Sequence, residues 1–246
     1  MRERDLVGRA GRFIVEGEVT LRVMLSDRAR FGLESVLLAP ERLEGLGGDL
    51  ARFPEGRPVY VARKAVMSAI TGFPIHRGVL GVGLRGLEAE PGLPPAPDPV
   101  RVVGLVGLTN HDNVGALFRN AAAFGADAVL LDAATCDPLY RKAIRVSAGA
   151  ALTVPFQRLA DADAILAYAA RHALVPLALS PGGGEILSAL APPARTLLIL
   201  GTEGPGLPPA LMARLRTLRI PMAPDFDSLN VATAGAIALH HLAAAR

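Results

Sequence analysis

A single cysteine, Cys136, stands among the 246 residues, so no internal disulfide can form and stability must come from a hydrophobic core. No apolar run reaches the roughly 18 residues that a membrane span requires. The most apolar stretch, 231–239, is short, rich in Ala and Gly, and followed by His240 and His241. Met1-Arg2-Glu3-Arg4-Asp5 is charged with no apolar stretch behind it, unlike a secretory signal. A cytoplasmic protein with no membrane partner is therefore expected. Cysteine and histidine nowhere adopt zinc spacing, so no metal is expected either. A Gly-x-x-x-x-Gly-Lys-Ser/Thr loop is absent, which excludes a P-loop nucleotidase. A Gly-x-Gly-x-x-Gly after an early strand is also absent, which argues against a dinucleotide fold and a typical Rossmann methyltransferase. Lysine is nearly missing, with only Lys64 and Lys142, so arginine carries the positive charge. Arginine suits bidentate phosphate contacts, but GC-rich coding produces the same bias. Net charge is +3, with 14 basic and 13 acidic residues up to Asp98 and 12 against 10 beyond it. Any nucleic-acid surface must then arise by local clustering.

The hydrophobic share is 51% and the mean hydropathy +0.35, ample for a buried core. Residues 88–99 hold five prolines and read as a stiff extended connector. They separate an N-terminal unit, 1–90, from a larger C-terminal one, 100–246, with 91–99 as linker. The N-terminal unit reads as mixed α/β: residues 13–17 lead into a helix at 18–26, strands fall at 33–38, 59–62 and 79–84, and further helices at 40–46 and 65–71. The C-terminal unit alternates strands (101–108, 128–132, 174–180, 196–200, 218–222, and a weaker 152–156) with helices (114–124, 137–147, 161–172, 208–215, 231–245). Apolar strands alternating with helices predict a mostly parallel sheet covered on both faces. Ligands of such sheets bind at the carboxyl ends of the strands.

Three segments fall at those ends. Residues 110–126 carry Asn113 and Arg119 on a helix with apolar positions at Val114, Leu117, Phe118, Ala121 and Phe124. Asp112 and Asn113 are good N-cap types and Gly125 a typical stop. Residues 198–207 run from a strand into the loop Gly201-Thr202-Glu203-Gly204-Pro205-Gly206, whose backbone can approach a ligand closely. Residues 220–231 pass through two carboxylates, Asp225 and Asp227, to Ser228 and Asn230 at a helix start. Each has a plain structural reading: Asn113, Ser228 and Asn230 as caps, the glycine loop as a turn. Their convergence on one edge of one sheet favours a site.

Asn113-Val114-Gly115 with Arg119, then Phe124-Gly125-Ala126, resembles the first motif of the SpoU (TrmH) RNA methyltransferases. Residues 201–207 resemble the second motif, and Ile220-Pro221-Met222 with Ser228-Leu229-Asn230-Val231 the third. Residues 141–150 resemble the segment between the first two. Val15-Glu16-Gly17 and His76-Arg77-Gly78-Val79 are similar to signatures of the ribosomal-protein-like RNA-binding domain that many members carry. The resemblance implies transfer of a methyl group from S-adenosylmethionine to an RNA ribose 2′-hydroxyl. It also implies a SPOUT-type α/β sheet threaded into a trefoil knot, a rare exception to unknotted chains, and a homodimer that completes the site. Arg119 is then the catalytic candidate, suited to polarising the hydroxyl or stabilising developing negative charge, since arginine rarely gives up its proton. Asn113 and Asn230 would position Arg119 or the ribose, Glu203 would orient that network, and Ser228 would hold cofactor or ribose. Leu200, Gly201, Ile220, Met222, Ser228 and Leu229 would line the cofactor. Arg141, Lys142 and Arg145 would meet RNA phosphate or form an exposed basic face.

Ribosomal RNA is favoured over transfer RNA, because the tRNA-type members usually lack the N-terminal unit and extend beyond the last helix, where this chain ends. Alternatives are tRNA ribose methylation, base methylation on the same fold, or an RNA-binding protein with a degenerate site. His111 departs from the proline often found in its loop and reads as an orienting residue more than as a base. Cys136 reads as an inert packing residue, and His240-His241 as a solvated helix terminus. The small residues of the last helix suit close packing, in a dimer or within the chain.

Overall fold

The computed structural model describes residues 11–72 and 74–243. The charged N-terminal segment 1–5, and Ala244 and Ala245 of the expected last helix, lie outside that set. The chain forms two compact units: residues up to 87 with 138–153, and 88–137 with 154 onward.

In the first unit four strands, β1 (Arg12–Glu16), β2 (Gly32–Leu38), β3 (Val59–Val61) and β4 (Val79–Leu84), pair in the order β1-β4-β2-β3. β4 runs antiparallel to both neighbours and β3 parallel to β2. Helices α1 (Glu18–Met24), α2 (Leu43–Leu50) and α3 (Lys64–Thr71) complete it. The alternation in β1 buries Phe13 and Val15 on one face and turns Ile14 toward the cluster Ala39, Met67, Ile75 and Leu80 on the other. Gly83 has to be glycine, since a Cβ there would sit 2.2 Å from the Phe13 ring.

The second unit is built on β5 (Val100–Leu105), β6 (Ala128–Leu131), β7 (Phe156–Arg158), β8 (Val175–Leu179), β9 (Glu185–Ile186), β10 (Arg195–Leu200) and β11 (Arg216–Arg219). Their order is β7-β6-β5-β10-β8-β11-β9 and every pair is parallel. This is the α/β sheet expected. β5, β6 and β10 are buried at every position, which is why they read as unbroken Val/Leu/Ile runs. Helices α4 (His111–Ala123), α6 (Ala162–Arg171), α7 (Pro209–Met212) and α8 (Val231–Ala243) cover it. No helix among the described residues is long and apolar enough to cross a membrane.

Several boundaries differ from expectation. β5 stops at Leu105 rather than at 108, because Gly107 turns into the left-handed region at φ 71°. β11 spans 216–219 rather than 218–222: Pro221 has no N–H to donate to a ladder. Ile220 and Met222 therefore lie in the loop beyond the strand. The weak strand expected at 152–156 is a 3₁₀ turn, Ala150–Leu152, followed by β7 after Pro155. The helix expected over 137–147 shrinks to α5 (Arg141–Val146), with Tyr140 extended at its cap, and that over 208–215 to α7. α4 starts at His111, capped by Asn110, whose side chain accepts from the Asp112 N–H. Asn113, expected as a cap, is instead buried within the first turn.

Two segments depart from the expected domain plan. Residues 138–153 pack into the first unit, where Arg141 Nη1 meets Glu16 Oε2 at 2.5 Å and the Arg30 N–H donates to Leu152 O. Gly149, at φ 87°, brings the chain so close to Val23 that a Cβ would lie 3.1 Å from its Cγ2. Residues 88–99 are a strap fastened to the second unit rather than a free connector. Buried Arg195 donates through Nη1 to Pro94 O and Asp98 O, and through Nε and Nη2 to His172 O. The Tyr168 hydroxyl donates to Pro91 O at 3.4 Å.

Candidate active site

β10, β8 and β11 are neighbours, and their carboxyl ends open into one cavity of about 390 Å³. Three loops form it: 179–181 after β8, 200–206 after β10 and 220–231 after β11. The β10 loop folds back on itself, with Thr202 bridging Gly206 and the Gly206 N–H donating to Thr202 O at 3.1 Å. The fold-back is so tight that a Cβ on Gly201 would come 2.6 Å from Leu207 N and 2.7 Å from Gly206 C. The wall beside Gly201 is thus bare backbone. Leu179, Leu200, Ile220, Met222 and Leu229 supply apolar surface around it. All six residues expected to line a cofactor site, Leu200, Gly201, Ile220, Met222, Ser228 and Leu229, border this one cavity.

Three of the expected polar residues meet at its rim in a chain of amides with a fixed direction. Asn230 caps α8: its Oδ1 accepts from Ala232 N–H at 2.9 Å and Thr233 N–H at 3.2 Å. With that oxygen taken, Nδ2 must point away from the helix, and it donates to Asn113 Oδ1 at 2.9 Å and toward Glu203 Oε1 at 3.4 Å. The Asn113 oxygen being an acceptor, its own Nδ2 donates to Glu203 Oε1. Helix cap, glycine loop and α4 are thereby tied together through Glu203. Ser228 borders the cavity but is exposed.

Arg119 does not join them. Six residues after Asn113 on a helix is a rotation of about 240°, and Arg119 is exposed and outside the cavity lining. Arg141, Lys142 and Arg145 lie in the first unit. Lys142 and Arg145 are exposed, whereas Arg141 is engaged by Glu16. Burial pushes the Cys136 thiol up to about 11, with Asp137 adding to the shift, consistent with a packing role. Of the terminal histidines His240 is exposed, as expected, with its ring in T-shaped contact with Phe124, whereas His241 is half-buried and meets Leu190 O at 2.9 Å. Gly235 of α8 approaches Leu117 of α4, where a Cβ would lie 2.6 Å from Cδ2, so the small residues of α8 serve at least one contact within the chain. No cluster that could hold a metal exists among the described residues.

Sequence reasoning passed over Ser180 and Pro181, which border the cavity; their place after an apolar strand was the available signal. It also passed over Asp132. That buried carboxylate accepts from Gly107 N–H, Thr135 N–H at 2.8 Å and the Thr135 hydroxyl at 2.6 Å, and so pins the loop leading into α4.

Residues 100–240 match the model of the SpoU rRNA methylase family. A relative from Mycobacterium tuberculosis, named as an uncharacterized tRNA/rRNA methyltransferase, is 38% identical over 97% of this chain and 83% of its own length. The SpoU methyltransferase AviRb of Streptomyces viridochromogenes, solved in complex with AdoMet, shares the fold at TM-score 0.80 and 22% identity, over 99% of this chain and 93% of that one. A structure described by 2-OH methylation of C/U34 on tRNA matches at TM-score 0.56 and 26% identity, covering 60% of this chain and 96% of its own.

Proposed function

Because the chain belongs to the SpoU rRNA methylase family, within which it is an RNA methyltransferase, we propose that it methylates a ribose 2′-hydroxyl, with ribosomal RNA as substrate. S-adenosylmethionine is the methyl donor of this family, and the cavity fits it. Its volume of about 390 Å³ is within the range of small-ligand sites. The bare backbone at Gly201 and the apolar side chains of Leu200, Ile220, Met222 and Leu229 would hold an adenosine moiety. When bound, the cofactor supplies a methyl group activated by a sulfonium.

The observation that carries the reading is the directed amide chain from the α8 cap through Asn230 and Asn113 to Glu203, at the rim of that cavity. A hydroxyl is a poor nucleophile, so the protein has to orient it and stabilise the charge that develops on its oxygen. The chain provides a rigid polar wall against which a ribose is aligned, with Ser228 as a further donor. Arg119 polarises the hydroxyl while keeping its own proton. Its exposure on a different face of α4 from Asn113 suits delivery to the cavity of a second copy, so the working form is a homodimer. The same family membership implies a trefoil threading of the C-terminal chain. Ribosomal RNA is preferred because the tRNA-directed structure matches only 60% of this chain while using 96% of its own, leaving a large remainder here for a further substrate-binding unit. Transfer RNA is the second reading, supported by the name of the mycobacterial relative.

The test is methyl transfer from labelled S-adenosylmethionine to unmodified ribosomal and transfer RNA transcripts. Label is expected in alkali-resistant dinucleotides of ribosomal RNA, absent with Arg119→Ala, while that variant still binds S-adenosylmethionine in calorimetry. Label on a nucleobase would overturn the ribose assignment, and full turnover by Arg119→Ala would remove that residue from the reaction.

A further inference from the structure

Phe226 is the most exposed large apolar side chain described in the second unit, at 65%. Its exposure is built into the backbone. The Phe226 N–H donates to Ala223 O at 3.3 Å, closing a turn. Pro224 presets the first corner position, and Asp225 holds the second at φ 65°, a region that residues other than glycine enter reluctantly. The turn lies in the middle of the loop whose two arms border the cavity, Ile220 and Met222 before it and Ser228, Leu229 and Asn230 after it. Ser228 is two residues on, so the two Cα atoms are at most about 7 Å apart. In one copy of the chain an aromatic ring is thus exposed beside the polar wall.

The flanking residues decide what it can receive. Asp225 and Asp227 are both exposed, and their carboxylates repel phosphate, so the turn does not follow an RNA backbone. An uncharged aromatic face turned out of its stack meets no such penalty, and sequence-tolerant stacking of bases on aromatic side chains is a common mode of RNA binding. We propose that Phe226 is a substrate-binding residue that stacks on the nucleobase at or next to the methylated ribose, so that the enzyme takes an unstacked nucleotide. This rests on the RNA ribose-methylation reading above and adds to it the element that selects a splayed-out base.

Phe226→Ala, Phe226→Leu and Phe226→Trp are to be compared with the unaltered protein by S-adenosylmethionine affinity, RNA affinity and steady-state methylation of unmodified ribosomal RNA transcripts. With Phe226→Ala, KM and Kd for RNA should rise about tenfold, in the range of one lost stacking contact, with kcat nearly kept and S-adenosylmethionine affinity unchanged. Phe226→Trp should restore RNA affinity and Phe226→Leu should not. Equal rescue by Leu, a loss of S-adenosylmethionine affinity in Phe226→Ala, or a change in its oligomeric mass would overturn the proposal in favour of apolar packing, a cover over the cofactor or a contact between copies. If the unaltered protein binds RNA in a Phe226-dependent way but transfers no methyl to ribose, the ribose reading fails and the stacking stands. If it methylates ribose and Phe226→Ala behaves identically, the stacking fails and the ribose reading stands.

Discussion

Two groups of the second unit, half-buried Cys136 and buried Tyr168, change the chemistry they bring to alkaline solution. Burial raises the Cys136 thiol from 9.0 to about 11 and the Tyr168 hydroxyl from 10.0 to about 12. In both the neutral form is the one that the fold accommodates, so their contribution to stability is complete below pH 9. It is lost as pH rises through the folded values, because the unfolded chain ionises first. The melting temperature should therefore fall between pH 9 and about 12, and the fall should be shallower in Cys136→Ala and Tyr168→Phe; equal slopes would show that these groups do not govern it. At this scale the sequence was read well for types and less well for roles. Asn113 and Asn230 were both plausible caps, yet only Asn230 caps a helix, and its amide faces the site with the other end. Phe226 passed unnoticed because nothing local marks it. Its meaning lies in exposure, which a sequence does not display.

Among the elements, α4 shows how a cap and a site residue share one turn. Asn110 takes the cap, which leaves Asn113 free to be buried and to reach Glu203 and Asn230. Asn110→Ala should destabilise the protein by about 1 kcal/mol, read by urea denaturation; a change within error would mean that the Asp132 contacts to Gly107 alone hold the start of α4. The order and type of the long elements were legible because their periods were clear: buried apolar runs for β5, β6 and β10, a 3.6-residue stripe for α4. Their ends were not, wherever one residue overruled the period, as Gly107 does for β5 and Pro221 for β11. β9, with two residues at the sheet edge, is too short to carry any period. Without β11 trimmed at Arg219, the arm from Ile220 to Met222 would be strand, not cavity wall.

For the whole molecule, the strap over 88–99 is fastened by buried Arg195 at Pro94 and Asp98, by His172 and Arg171 at Glu90, and by Tyr168 at Pro91. Arg195→Ala removes four hydrogen bonds and leaves the carbonyls of His172, Pro94 and Asp98 without their partner. Stability should drop by about 2–3 kcal/mol, and limited proteolysis should cut first within 88–99; an unchanged cleavage pattern would show that Glu90, Tyr168 and local prolines suffice to hold it. The proline content announced an extended segment correctly, but not its attachment, since the partner lies a hundred residues away. Residues 138–153 were unreadable for a similar reason: their contacts with Glu16, Val23 and Arg30 are long-range, and neighbouring motifs argued for the other unit. Their position has a consequence for connectivity. The polypeptide passes from one unit to the other three times, near 87, 137 and 153. A single nick at any one crossing releases neither unit, and genetic exchange of the N-terminal unit at a single junction would leave sixteen residues of the original chain seated in a foreign neighbour. Replacing the first unit whole therefore takes three junctions rather than one.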